Sequence, residues 1–154
     1  QNLLSRVTNA LSFHDVRYAI VGGYAVALHG AVRGTVDIDA VLECTEDQFV
    51  RCEQALREIG FLPRLPVTAA EVFKFRREYI ERRNLVAWSF YNQQHPLEIV
   101  DIIITHDLRK MKSISIRHFS KNIQILSKAD LIRMKQESGR PQDLEDVRAL
   151  ESIE

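Results

Sequence analysis

Asp37 and Asp39 flank a single isoleucine, and thirteen residues separate them from a Gly22-Gly23 pair. In an extended strand side chains alternate, so carboxylates two residues apart project from one face. Held that close, they repel each other unless a cation lies between them. Hard oxygen donors on a rigid strand suit Mg²⁺ or Mn²⁺, which keep several waters and take substrate phosphates as further ligands. The glycine pair predicts a tight turn into a helix, whose free N–H groups and positive dipole end favour a phosphate. Each half has a plain structural reading, because double glycines are common turns and Asp-x-Asp is common in solvated loops. Together they describe a metal–triphosphate site. Val36, Ile38, Ala40 and Val41 make residues 36–42 read as a largely buried strand, where unpaired carboxylates are costly.

The elements that must position these groups are legible in outline. Leu3, Leu4, Val7 and Leu11 recur at helical spacing. Residues 17–21 form a short β-rich run that stops at Gly22, and residues 24–28 have helical preference with Gly30 as a stop. Thr45 and Gln48 form a capping-box pattern that opens a helix with Phe49, Ala55, Leu56 and Ile59 on its apolar stripe, closed by Gly60. Pro63 and Pro66 mark a loop. Thr68 and Glu71 predict a second capping box and a helix reaching about Arg82. Residues 85–91 and 97–104 read as strands around a turn at 92–95, and residues 114–116 and 123–126 as two short strands. Ser127 caps a further helix that Gly139 ends, and Pro141 suits the first turn of a last one. This predicts one α/β (α+β) domain over residues 1–154, with a C-terminal helical segment at about 127–154. The expected architecture is a mixed β-sheet with helices mainly on one face.

The motifs resemble a known superfamily. Val21-Gly22-Gly23 with Arg33-Gly34-Thr35-Val36-Asp37-Ile38-Asp39 is similar to the hG[G/S]…DxD signature of DNA polymerase β-type nucleotidyltransferases. The double glycine, short Ala-rich helix and R-x-T-x-D-I-D resemble small bacterial members, including relatives of the abortive-infection toxins of toxin–antitoxin systems. Lys135, followed by Arg140, Asp143 and Asp146 before Val147, resembles that subgroup's K…R-x-x-D-x-x-D-h segment. The resemblance implies a third acid on a neighbouring strand. Val100-Asp101-Ile102 matches its h-D-h form, with Glu98 as the competing candidate on the opposite face.

What the resemblance implies is transfer of NMP from an NTP to a hydroxyl, with Asp37, Asp39 and Asp101 as metal ligands and catalytic residues, Asp101 also as general base. Gly22, Gly23, Arg33 and Lys135 would contact the nucleotide, and Lys135 has the alternative of a solvated helix residue. Ser is common in the family at the second glycine, so Gly23 lacks a hydroxyl that could touch phosphate. Asp143 and Asp146 share a helix face and are expected to pair with Arg140 or Lys135. The implied acceptors are RNA, a protein or a small molecule, and a cognate antitoxin is an implied partner. The alternative is a catalytically inactive nucleotide- or partner-binding module with the same fold.

Composition sets outer limits. The chain has 154 residues, 45% apolar and 27% charged, with 21 basic and 21 acidic side chains, the profile of a globular domain without bulk affinity for duplex DNA. Residues 18–32 lack charge but contain three glycines and a histidine, which argues against a membrane span. Cys44 and Cys52 form no CxxC pair, and no leader pattern is visible, so a reducing cytoplasm is expected. The five histidines show no metal-ligand spacing. Basic residues cluster at 74–83 and 108–128, which suits solvated faces or a polyanionic acceptor.

Overall fold

A computed structural model describes residues 2–153. The chain opens with α1 (Leu3–Phe13), capped by the Asn2 side chain, which accepts from Ser5 N. β1 (Tyr18–Val21) follows, buried along its whole length, and runs without a loop into α2 (Gly22–Leu28). A stretch of irregular backbone then leads to β2 (Ile38–Leu42) and α3 (Glu46–Glu58). β3 (Phe61–Pro63), α4 (Ala69–Lys74) and α5 (Arg76–Arg83) precede the antiparallel pair β4 (Ala87–Asn92) and β5 (Ile99–Ile103). The chain ends with the hairpin β6 (Ser113–His118) and β7 (Lys121–Leu126), then α6 (Lys128–Ser138) and α7 (Pro141–Glu151).

Among the described residues the strands form one mixed sheet in the order β3-β4-β5-β2-β1-β7-β6. β1 pairs antiparallel with β2, while β2–β5 and β1–β7 are parallel. The alternation of β4 and β5 sorts their side chains by face. Trp88, Phe90, Val100 and Ile102 are buried, whereas Ser89, Asp101 and Ile103 are only half-buried. Phe49 of α3 stacks on Trp88 at 5.7 Å between ring centroids, so α3 covers the buried face. The other face, left partly open, is where the polar groups of the site lie.

Several expectations change in detail. Val36 is not part of a buried strand: it is 70% exposed, and β2 begins only at Ile38. Thr45 does accept from Gln48 N, but the Gln48 amide accepts from Arg17 N and donates to Asp15 O instead of closing a box. It ties α3 to the entrance of β1. Thr68 and Glu71 form the full reciprocal box. The helix after it breaks at Phe75, where Phe73 packs edge-on against Phe49 and the Arg76 guanidinium donates to Ile104 O. Pro63 ends a three-residue strand at the sheet edge, a position where its missing N–H costs no ladder bond. No described helix is long and apolar enough to cross a membrane.

Candidate active site

The parallel pairing of β2 with β5 puts Asp39 directly opposite Asp101. Asp37 lies in the bend before β2 and faces the same cleft, of about 780 Å³, as the other two. β4 supplies a fourth polar group, since Ser89 is opposite Asp101 and its hydroxyl donates to Asp101 Oδ1 at 2.5 Å. Glu98 takes no part. It lies ahead of β5, where it accepts from Arg6 at 2.6 Å and from Asn92 at 2.7 Å.

The electrostatics follow from burial and like charge. Burial, then the carboxylates of Asp101 and Asp37, push the Asp39 carboxyl up to about 7. Asp37 is raised by burial and by Asp101, with Arg64 at the end of β3 acting in the opposite direction. Among the described residues, no three His, Cys, Asp or Glu side chains close to a ready-made chelate. The arrangement is a facing pair, Asp39 and Asp101, with Asp37 on the lip. Its donors are carboxylate oxygens whose mutual repulsion a hard divalent cation would relieve, so the residues present fit Mg²⁺ or Mn²⁺ in chemistry.

The glycines sit hard against these groups. Gly22 has φ +67°, and a β-carbon there would stand 2.1 Å from Asp39 Oδ2. At Gly23 a β-carbon would meet Thr35 Oγ1 at 2.7 Å. Thr35 therefore fills the space that a serine at position 23 would need. Both glycines, Arg33 and Thr35 line the cleft.

Lys135 and Arg33 are held by α7. Lys135 is only 8% exposed, with Nζ 2.9 Å from Asp146 Oδ2 and 3.4 Å from Asp143 Oδ1. Arg33 Nε donates to Asp146 Oδ1 at 3.0 Å, and Arg140 Nε to Asp143 Oδ2 at 2.8 Å. Burial opposes ionisation of both aspartates, yet their basic partners hold both carboxyls below the ordinary range. This network fastens the loop before β2 to α6 and α7. It also balances the acidic cluster, since Lys135 favours the charged form of Asp39.

A half-buried acid pair, a glycine turn against it and a basic clamp from the last two helices agree with one family. Residues 2–154 match the family described as "Nucleotidyltransferase of unknown function (DUF6036)". The chain belongs to this nucleotidyltransferase family. No curated sequence matches it. Solved structures share the fold at low identity. The lincomycin-bound lincosamide antibiotic adenylyltransferase LnuA is 16% identical, with a TM-score of 0.63 over 98% of this chain and 96% of that one. ANT(2")-Ia in complex with adenylyl-2"-tobramycin is 13% identical, with a TM-score of 0.59 over 96% and 85%. An antigenic nucleotidyltransferase-like protein from Paracoccidioides brasiliensis is 18% identical, with a TM-score of 0.55 over 96% and 73%.

Sequence reasoning missed Ser89 and Thr35 as parts of this site, whereas the expected pairing of Asp143 with Arg140 is present. Ser89 could be found only through the β4–β5 register. Thr35 stands inside the motif, but its contact with Gly23 depends on how the loop folds back.

Proposed function

We propose that the protein transfers NMP from an NTP to a hydroxyl acceptor, using a divalent cation held by Asp37, Asp39 and Asp101. The observation that carries this reading is the register that sets Asp39 opposite Asp101 in an open cleft, with Gly22 against Asp39. When bound, Mg²⁺ or Mn²⁺ supplies charge neutralisation on the phosphates and lowers the pKa of the attacking hydroxyl. Asp101, oriented by the Ser89 hydroxyl, accepts the proton of the acceptor's hydroxyl as the acceptor oxygen forms a bond to the α-phosphorus. The bond from the α-phosphorus to the bridging oxygen breaks, and pyrophosphate leaves. Gly22 and Gly23 let backbone approach the phosphates without a side chain intervening. Arg33 and Arg140, which line the cleft, stabilise the leaving charge. Lys135 acts mainly by holding α7 against the acids.

The acceptor is a hydroxyl on a small molecule, RNA or a protein. Small-molecule acceptors gain support from the two antibiotic-modifying structures of similar fold. To test the reading, the protein is incubated with each α-labelled NTP, Mg²⁺ or Mn²⁺, and separate pools of RNA, protein and antibiotics. Metal-dependent labelling of one pool is the expected result. NTP binding without transfer to any pool would favour the inactive binding module.

A further inference from the structure

The cleft has a second end that the chemistry above does not use. Thr105 and His106 follow β5 and line the cleft, as do Ile103 and Asp101 before them. Thr105 Oγ1 lies 2.9 Å from His106 Nδ1, and His106 Nε2 lies 3.7 Å from Glu137 Oε1 of α6. His106 belongs to the sheet side and Glu137 to the helix side, so the two walls approach each other at this end. Between this end and the acids the walls are apolar, with Ala87 and Ile103 on one side and Leu131 and Met134 on the other.

We infer that this compartment is a nucleobase subsite in which Thr105 and His106 read the polar edge of the base. The inference rests on the nucleotidyl-transfer reading and deepens it. A sugar-like ligand placed here would press hydroxyls against apolar walls and leave them without partners, at a cost. A planar base offers apolar faces to those walls and its donors and acceptors to the end wall. The threonine hydroxyl can donate or accept, and the imidazole nitrogen lies beside it, so the pair can exchange its own hydrogen bond for bonds to a polar edge.

The experiment compares binding of Mg²⁺ complexes of ATP, GTP, CTP and UTP with that of inorganic tripolyphosphate, which has no base. The proteins are the wild type and the Thr105→Val and His106→Ala variants, each checked for an unchanged fold by circular dichroism and melting. The expected wild-type result is tighter binding of at least one NTP than of the others and of tripolyphosphate, by about tenfold, the effect of one or two hydrogen bonds. Both variants should lose that preference while keeping wild-type affinity for tripolyphosphate. An unaltered base preference in both variants would overturn the inference, as would wild-type protein that binds NTPs no better than tripolyphosphate. Failure to bind either NTP or tripolyphosphate would overturn the nucleotidyl-transfer reading itself, and the subsite with it.

Discussion

Gly22 and Asp39 are packed so closely that a β-carbon on the first would stand 2.1 Å from a carboxylate oxygen of the second. The turn between β1 and α2 and the acidic centre on β2 are thus one unit. Gly22 also has φ +67°, a region that costs a residue with a side chain about 1–2 kcal/mol. Gly22→Ala is expected to lower stability by about that much and to rotate Asp39 away from Asp101. Its loss of metal-dependent transfer should far exceed what the stability change explains. Thermal melts alongside transfer rates measure both.

Gly23→Ser adds the hydroxyl that Gly23 lacks, yet here it should be harmful. Its β-carbon would meet Thr35 Oγ1 at 2.7 Å and Thr35 Cβ at 2.8 Å. Overpacking of this kind costs about 1–3 kcal/mol. Adding Thr35→Ala should recover most of the loss, which a double-mutant cycle on denaturation free energies would reveal as strong coupling.

Much of this centre was legible in the sequence because it is local. Asp37, Asp39 and the glycines lie in contiguous motifs, and Asp101 was implied by the resemblance, through the apolar neighbours of its h-D-h form. The strand register was not legible, and it is what places Asp39 opposite Asp101 and brings Ser89 to Asp101. Val36 misled because β-branched alternation reads the same in an exposed loop as in a strand. The break at Phe75 has no local signal and follows from tertiary contacts of Phe73 and Arg76. The end wall was invisible because His106 and Glu137 meet only across the cleft.

Asp39 gives the metal-free protein a characteristic pH dependence. Its carboxyl is pushed up to about 7 by burial first and then by Asp101 and Asp37, whereas an unfolded aspartate ionises near 4. Between about pH 4 and 7 the native state holds a proton that the unfolded chain has released. This group's contribution to stability therefore falls as pH rises through that window. In EDTA, wild-type melting temperature should fall relative to Asp39→Asn from pH 4 to 7 and then level off. Mg²⁺ or Mn²⁺ at pH 8 should restore the wild type alone. A pH-independent difference between the two proteins would contradict the assignment.

Lys135 and Arg33 should separate under mutation. Lys135→Ala leaves Asp143 and Asp146 buried without the amino group between them, a change that costs about 3–5 kcal/mol. Arg33 is more accessible and loses one ion pair, so Arg33→Ala should cost about 1 kcal/mol. Its main effect should be weaker NTP binding, measured by calorimetry beside chemical denaturation.

The most direct measurement is α-phosphate transfer from labelled NTP by wild type and Asp39→Asn, at saturating Mg²⁺ or Mn²⁺ and with the variant's fold verified. Metal-dependent transfer by the wild type, reduced roughly a thousandfold in the variant, is the predicted result. Equal metal-dependent transfer by the two proteins would contradict the assignment of the site.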